Sequence, residues 1–318
     1  MDKKRGFLNV SVAVGFKIIL LLASLLVRRF LIQYLGTEVN GLNALYLSII
    51  GFLAVAELGV GSAIVYCMYK PIVDGDKEKV IALYRLIEKL YRIIGAFILI
   101  AGIAVMFFLP SLAKDYSISR GDMYVTFVIM LVSVVITYMY SAKVSLLEAY
   151  KNNYIATAIS SSSMLIQYAL QIAALLIFRT FHAYLACRII SVCIQWLLLE
   201  LHTRKHYPGI ITGHAKVDKA TAKDVARNVK AMFMHKIGAV LVNTADSIVI
   251  SAFIGVVILG GYTNYTTIMT SMTAILLLFF TPLTSVIGHL FAQGNEAETL
   301  KYFNFFHAFN FVLGTVFF

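Results

Sequence analysis

The chain has 318 residues, of which 60% are hydrophobic and only 14% are charged, and its formal net charge is +11. In a soluble domain about 25% of residues are charged, so this composition excludes a soluble globular protein and makes the lipid bilayer the main solvent. The lysines and arginines lie mostly between apolar segments rather than among exposed aromatic residues, which argues against nucleic-acid binding.

Long hydrophobic segments predict nine membrane helices. In chain order they cover residues 7–34, 42–69, 82–109, 122–146, 154–178, 184–201, 231–254, 262–290 and 300–318. Glycine and proline mark the breaks, since Gly36 and Gly41 flank the first break, Pro110 follows the third helix and Pro208 opens the longest loop. We therefore predict an all-α, polytopic transmembrane helix bundle.

The cysteines and the basic N-terminus suggest no secreted or metal-binding protein. The three cysteines fall inside apolar segments without metal-ligand spacing, so we expect no disulfide, metal or other cofactor; they are Cys67, Cys187 and Cys193. Lys3, Lys4 and Arg5 precede an apolar segment, as in a signal peptide, but no cleavage site follows. We interpret this segment as a retained first helix.

The distribution of cations orients the predicted helices. Of the 27 lysines and arginines, 19 fall in segments on the N-terminal side of the bilayer, and three, Lys114, Arg120 and Arg179, fall on the other side. Cytoplasmic loops carry the excess of Lys and Arg in membrane proteins. The N-terminus is therefore predicted to be cytoplasmic, and the outer loops are short.

The two ends of the chain resemble each other when one is shifted by 219 residues. The matched pairs are Asn9 with Asn228, Lys17 with Lys236, Gly36 with Gly255, Gly41 with Gly260, Tyr46 with Tyr265 and Gly75 with Gly294. The first helix then corresponds to the seventh, which gives six helices in each copy. Because six is even, both copies begin on the same side of the membrane, as in a parallel repeat about an axis along the membrane normal.

This repeat divides the chain into domains. An N-terminal lobe covers residues 1–212, a cytoplasmic linker covers 213–230, and the start of a C-terminal lobe covers 231–318. Part of the linker, near residues 218–230, is predicted to form an amphipathic helix at the membrane surface. The second copy corresponds only to residues 1–99, so we expect the second lobe to be truncated.

Five of the cations fall within predicted helices: Lys17, Arg28, Arg29, Arg188 and Lys236. Lys17 and Lys236 lie deep in matching helices. We predict that they face each other across the lobe interface and form a cationic chamber, in which a low dielectric strengthens the attraction for a diphosphate. The alternative is that they form ion pairs with Glu57 or Asp246, the two carboxylates within predicted helices.

Other intramembrane polar residues allow two interpretations each. Arg28, Arg29 and Arg188 either extend to the lipid headgroups or face a cavity. Glu57 either carries a coupling proton or sodium ion or pairs with a cation. The intramembrane amides either donate hydrogen bonds to a sugar or join neighbouring helices; they are Asn43, Asn243, Asn264, Gln167 and Gln171.

Three segments of the sequence resemble a known family pattern. They are Tyr34-Leu35-Gly36-Thr37-Glu38-Val39-Asn40-Gly41-Leu42, Glu57-Leu58-Gly59, and residues 243–255 followed by Gly260-Gly261-Tyr262-Thr263-Asn264-Tyr265. Over essentially its whole length the chain resembles the polysaccharide-biosynthesis flippases of the MATE-like superfamily of multidrug, oligosaccharidyl-lipid and polysaccharide exporters.

The resemblance implies two six-helix lobes in a V shape around a central cavity with a cationic lumen, to which Lys17, Arg29 and Lys236 are assigned by position. It implies a transporter rather than an enzyme. The expected substrate is a polyprenyl-diphosphate-linked oligosaccharide, flipped from the inner to the outer leaflet of a bacterial inner membrane by alternating access. Glu57 and Asp246 are the candidates for coupling to H+ or Na+.

Other functions are alternatives to a flippase. A cation-coupled multidrug exporter of the same fold would favour an acidic, aromatic cavity, whereas five intramembrane cations against two carboxylates favour an anionic substrate. A sugar polymerase would need a substantial outer loop, and an intramembrane acyltransferase would need a histidine with a polar partner, which His235 lacks in the sequence pattern. A non-transporting scaffold is the remaining alternative.

Overall fold

The computed structural model describes the backbone of residues 3–57, 59–215, 217 and 219–273, with residue 300 and short stretches between 303 and 315. Within these ranges, the side chains of residues 3–17, 56, 219–220 and 231–243 lie outside the described set. All regular structure in the described part of the chain is helical. The predicted helix at 300–318 and the second half of the one at 262–290 lie largely outside the described residues.

The helices are named in chain order. They are α1 (Lys3–Leu53), α2 (Val60–Asp74), α3 (Lys77–Met106), α4 (Leu109–Leu112), α5 (Arg120–Ala149), α6 (Asn153–Ile177), α7 (Phe181–His206), α8 (Pro208–Thr212), α9 (Lys219–Val249) and α10 (256–273). Within the described residues, five stretches are long and apolar enough to cross a membrane: Ile18–Leu53, Lys77–Met106, Arg120–Ala149, Asn153–Ile177 and Phe181–His206. The prediction of an all-α membrane helix bundle is confirmed.

The break predicted after residue 34 is a single glycine. Gly36 has φ 85° and ψ 172°, so α1 consists of two helices that meet at this residue. A positive φ of this size is accessible to glycine without the steric cost that a Cβ imposes. The second helix therefore begins directly after Gly36, earlier than the predicted residue 42.

The second predicted helix, 42–69, is not continuous, and this prediction is wrong. A 3₁₀ turn over Ala54–Glu57 ends α1, and Gly59 adopts a left-handed conformation with φ 86° before α2 begins. The apolar sequence through this region satisfied the membrane-helix pattern, but hydropathy does not report backbone conformation. The interruption places Glu57 at a helix break.

Helices extend beyond the predicted apolar segments because charged and capping residues continue them. α3 begins five residues before the predicted start at 82, and the Asp76 side chain accepts a hydrogen bond from the Lys79 amide at 3.0 Å. The Ser119 hydroxyl caps α5 in the same way, accepting from the Asp122 amide at 3.1 Å. Such N-caps satisfy amide groups that the first helical turn leaves without a partner.

Residues Met1–Gly261 form one compact unit, and residues Tyr262–Phe318 form a second. In the first unit α3 packs closely on α5, since a Cβ at Gly95 would lie 3.3 Å from Tyr138 and one at Gly102 would lie 2.6 Å from Leu131. Small residues allow this approach without a hydrophobic driving force between helices in lipid. In the second unit, threonines of residues 262–273 donate hydrogen bonds to carbonyls one turn back, as Thr267 does to Thr263 at 2.6 Å.

The segment predicted as the inter-lobe linker, residues 213–230, is helical from Lys219, and its start is held by a hydrogen bond from Arg85. The Arg85 side chain on α3 donates hydrogen bonds to the carbonyls of Ile211 and Gly213, so an arginine binds the C-terminal carbonyls of α8, where a cation is favourable. Farther along, α9 begins at Lys219 and continues without interruption to Val249. The domain boundaries and the membrane-surface position of residues 218–230 stay predictions.

Candidate functional site

The structure describes the side chains of three of the five predicted site residues. Arg29 is exposed on α1, Asp246 is exposed on α9, and Glu57 is half-buried in the 3₁₀ turn. The side chains of Lys17 and Lys236 lie outside the described residues. The cationic chamber between these two lysines therefore stays a prediction.

A cavity of about 580 Å³ opens beside the interrupted helix. Glu57 contributes to its wall and lies beside the side chains of Tyr91 and Tyr138. The cavity is lined by Gly51, Ala54, Glu57, Gly59, Gly61, Ser62, Tyr91, Ser141, Val144, Ser145 and Glu148. Glycine and serine leave the space open, while hydroxyl and carboxyl groups supply oxygen atoms.

The helix break explains why this cavity is polar inside an apolar bundle. A helix that ends within a membrane leaves carbonyl and amide groups without helical partners, and these groups are tolerated where they line a cavity. The described lining contains two carboxylates, Glu57 and Glu148, and no lysine or arginine. Interrupted helices with such oxygen atoms bind protons or sodium ions in secondary transporters. The cavity is therefore chemically suited to a small cation.

One matched glycine pair of the repeat, Gly41 and Gly260, lies at a close backbone contact. A Cβ on Gly41 would overlap the carbonyl oxygen of Val256, and a Cβ on Gly260 would overlap the carbonyl oxygen of Thr37. The offset of 219 residues that relates Gly41 to Gly260 also relates Thr37 to Val256. The contact is therefore reciprocal, as expected where a local two-fold axis passes between two equivalent segments.

Backbone geometry and a buried amide strengthen this equivalence. Gly255 has φ 139°, and Gly36, its match in the repeat, has φ 85°. The Asn40 side chain is only 3% exposed and donates a hydrogen bond to the Gly260 carbonyl at 2.8 Å. Small residues at both positions let the two backbones approach to contact distance.

The connection between α3 and α5 binds the same region. α9 ends in a π-helical turn over Ile250–Ile254. The Lys114 amide donates to the Ser251 carbonyl at 3.1 Å, and the Val256 amide donates to the Lys114 carbonyl at 3.0 Å. The Ser251 hydroxyl donates to the Leu112 carbonyl at 2.7 Å. π-helical turns are rare and often occur at functional sites.

Glu38 fixes the connection from the other side. Its carboxylate accepts hydrogen bonds from the Ser117 amide at 2.7 Å, the Ser117 hydroxyl at 2.6 Å and the Ile118 amide at 3.4 Å. We call the contacts among residues 37–41, 112–118 and 251–260 the latch. The latch joins α1, the α3–α5 connection and the start of α10 at one end of the first unit.

Two arginines lie near one buried tyrosine, and for both the sequence allowed either a position at the lipid headgroups or one facing a cavity. Arg28 on α1 and Arg188 on α7 are both close to Tyr184, which is 9% exposed. Tyr140 and Tyr168 are also close to Arg188. The signal for this cluster in the sequence was weak. Tyr184 and Arg188 are four residues apart, so they share one face of α7, but the other members lie on other helices.

One buried ion pair was missed by the sequence analysis. Lys143 is one of the 19 cations predicted to lie on the cytoplasmic side, yet its side chain is 8% exposed and its Nζ lies 2.7 Å from the Glu200 carboxylate. Arg204 contacts the same carboxylate from the next turn of α7, at 2.5 Å. The pair joins α5 to α7 near the predicted cytoplasmic end and has a structural role.

Comparison with known proteins identifies the fold. No protein-family model matches the sequence, and no curated protein matches it. Among solved structures, a multidrug resistance MATE family transporter of the MOP superfamily, captured in an inward-facing conformation, superposes with a TM-score of 0.69 at 16% sequence identity. The match covers 92% of this chain and 68% of that chain. The chain is a multi-span membrane protein with the fold of a MATE transporter.

Proposed function

We propose that this chain is a flippase that moves polyprenyl-diphosphate-linked oligosaccharides from the cytoplasmic to the outer leaflet of a bacterial inner membrane. The observation that carries the proposal is the charge inside the spans. Arg28 and Arg188 lie in the interior of a transporter fold, and Arg188 pairs with no described carboxylate. Intramembrane cations mark substrate pathways, and arginine binds phosphate well.

Alternating access gives the latch a role in this proposal. The positive-inside rule places the latch end on the outer side of the membrane. Intact latch contacts then close the outer side, and the cargo enters from the cytoplasmic leaflet. Opening toward the outside requires the latch to break, which releases the cargo to the outer leaflet.

The predicted site residues take separate roles in the cycle. Lys17, Arg29 and Lys236 line the lumen between the lobes and attract the diphosphate. Glu57, in its oxygen-lined cavity, takes up a proton or a sodium ion, and Asp246 is a second candidate for this ion. Binding of the ion drives the change between the inward-open and outward-open states only if the affinity for the ion differs between these two states.

A second candidate is a cation-coupled multidrug exporter of the same fold. The structural neighbour is itself a multidrug resistance transporter. The acidic, tyrosine-bearing cavity at Glu57 also suits an organic cation. This function predicts that drugs, rather than lipid-linked sugars, are the transported species.

A complementation experiment separates the two. The chain is expressed in a bacterium whose own polysaccharide flippase is deleted, and surface polysaccharide is measured with a lectin. Restored display with unchanged drug resistance supports the flippase. Increased resistance to organic cations without restored display supports the multidrug exporter and contradicts the proposal.

A further inference from the structure

Arg28 and Arg188 lie well inside membrane-spanning helices of the first unit. With a rise of about 1.5 Å per residue, Arg28 is about 12 Å from the break at Gly36, and Arg188 is about 10 Å from Phe181 at the start of α7. Both are close to buried Tyr184. At this depth a charged group needs a polar partner or a water-filled cavity.

Arg188 has no partner for its charge among the residues that the structure describes. Its guanidinium forms neither an ion pair nor a hydrogen bond with any residue that the structure describes. Its described neighbours are the neutral side chains of Tyr140, Tyr168 and Tyr184. A guanidinium presents five N–H donors in a planar fork, so most of its capacity for binding an anion is unused.

A buried acceptor lies on the neighbouring helix α6. The Gln171 side chain is 2% exposed, and its Nε2 donates to the Tyr184 carbonyl at 3.3 Å. Its Oε1 is buried without a hydrogen-bond partner in the described part of the chain. Buried amide oxygens are normally paired. Tyr168 precedes Gln171 by about one helical turn on α6 and lies near Arg188 and Tyr184.

We propose that Arg28, Arg188, Tyr140, Tyr168, Tyr184 and Gln171 form a binding site for a sugar phosphate. Phosphoryl oxygens accept hydrogen bonds from Arg188 and are attracted by Arg28. A sugar hydroxyl donates to the Gln171 Oε1, and the tyrosine hydroxyls complete the polar wall. The proposal rests on the proposed function and places the sugar-phosphate head group of the cargo inside the first unit.

Ligand chemistry explains why both kinds of partner are needed. A free phosphate would use the arginines and leave the Gln171 oxygen unpaired, and a neutral sugar would leave Arg188 without an anion. A sugar phosphate satisfies both, since it combines an anionic acceptor with hydroxyl donors. The planar fork of arginine suits phosphate oxygens better than a lysine ammonium does.

Binding to the full 318-residue chain tests the site. The protein is reconstituted in phosphatidylcholine nanodiscs, and inorganic pyrophosphate, glucose 1-phosphate and glucose are titrated by calorimetry. We expect saturable binding of the two phosphates and none of glucose. Arg188→Gln should weaken both phosphates by about tenfold or more, as loss of a charge-assisted hydrogen bond does.

Matched variants separate the two halves of the site. Gln171→Leu should weaken glucose 1-phosphate and leave pyrophosphate unchanged, because only the sugar uses the amide oxygen. Arg120→Gln is the control, since Arg120 is an exposed arginine at the start of α5. It should bind both phosphates as the wild type does.

The contradicting results are distinct. The inference is wrong if the wild type shows no saturable binding, if Arg188→Gln binds unchanged, or if Arg120→Gln weakens binding equally. If Arg188→Gln fails to fold, Arg188→Lys and Tyr168→Phe are tested, and unchanged binding by both overturns the site.

The same preparations distinguish this site from the proposed function. Phosphate binding without transport of a lipid-linked sugar contradicts the flippase and leaves the site standing. Transport together with unchanged binding by Arg188→Gln contradicts the site and leaves the flippase standing.

Discussion

At the scale of single residues, buried charges in this protein are held in two different ways. Lys143 is paired with Glu200 at 2.7 Å, and Glu200 also binds Arg204. Arg188 has no such partner among the described side chains. Removing one member of a buried pair leaves an uncompensated charge, which costs more than the pair itself contributes. The Lys143–Glu200 pair therefore has a structural role, and Arg188 is the residue that we assign to the proposed sugar-phosphate site.

The Lys143–Glu200 pair predicts unequal effects of its two single substitutions. Glu200→Gln leaves Lys143 buried without a described partner and should destabilise the protein by about 3 kcal/mol. Lys143→Met should cost less, because Glu200 keeps Arg204. The double variant should recover much of the loss. Thermal unfolding in nanodiscs measures the order, and equal effects of the single substitutions would contradict this asymmetry.

We expect substitution of Glu57 to reduce the coupling of transport to an ion gradient. Glu57→Gln removes the carboxylate to which the proposed function assigns the proton or sodium ion, so the dependence of transport on an imposed gradient should fall at least about fivefold. Glu78→Gln, at an exposed position in the first turn of α3, is the control and should keep the full dependence. A Glu57→Gln variant that still responds to the gradient would show that the cavity does not couple transport.

At the scale of elements, the repeat is visible in how two segments touch. Gly41 lies against the carbonyl oxygen of Val256, and Gly260 lies against the carbonyl oxygen of Thr37. A side chain at either position would force the backbones apart, and overpacking of this kind costs about 1–3 kcal/mol. The two glycines are equivalent by position, so their effects should be equivalent too.

Alanine substitutions test this equivalence. Gly41→Ala and Gly260→Ala should lower thermal stability by similar amounts, and the double variant should lose less than their sum because the two share one contact. Gly121→Ala is the control, since its Cβ would lie 3.7 Å from the Ser119 hydroxyl, an ordinary contact. Strongly unequal single effects would argue against a local two-fold axis.

Part of this organisation could be predicted from the sequence. The glycine matches at 36, 41, 255 and 260 predicted that the two segments are equivalent, because glycine is needed where φ is positive or backbones touch, but they did not predict that the segments contact each other. The interruption at Ala54–Glu57 could not be predicted, since its apolar residues fit an uninterrupted membrane helix equally well. The tyrosines near Arg188 on other helices, Tyr140 and Tyr168, depend on how α5, α6 and α7 pack, and no local sequence pattern encodes this packing.

At the scale of the whole molecule, the proposed function gives the latch a role in alternating access. Lys114 Nζ donates to the Phe253 carbonyl at 3.3 Å, beside the backbone hydrogen bonds of Lys114 with Ser251 and Val256. If the latch must open in each cycle, a covalent link across it stops transport in one state.

Cross-linking tests this role. Lys114→Cys and Phe253→Cys are combined in a background in which the three native cysteines are serine, and a short bis-methanethiosulfonate reagent is added, which forms a disulfide with each cysteine. Transport should stop and should return on reduction, while each single-cysteine variant should be unaffected. Undiminished transport by the cross-linked protein would show that the latch stays closed throughout the cycle.

Transport of a lipid-linked sugar by purified protein tests the central claim most directly. The chain is reconstituted in liposomes that contain a short-chain polyprenyl-diphosphate oligosaccharide in both leaflets, and a membrane-impermeant glycosidase is added outside. Protein-free vesicles should lose about half of the sugar, the share in the outer leaflet. Vesicles with the wild-type chain should lose nearly all of it. Loss that stops at half, with active uptake of an organic cation by the same vesicles, would contradict the flippase and favour a multidrug exporter.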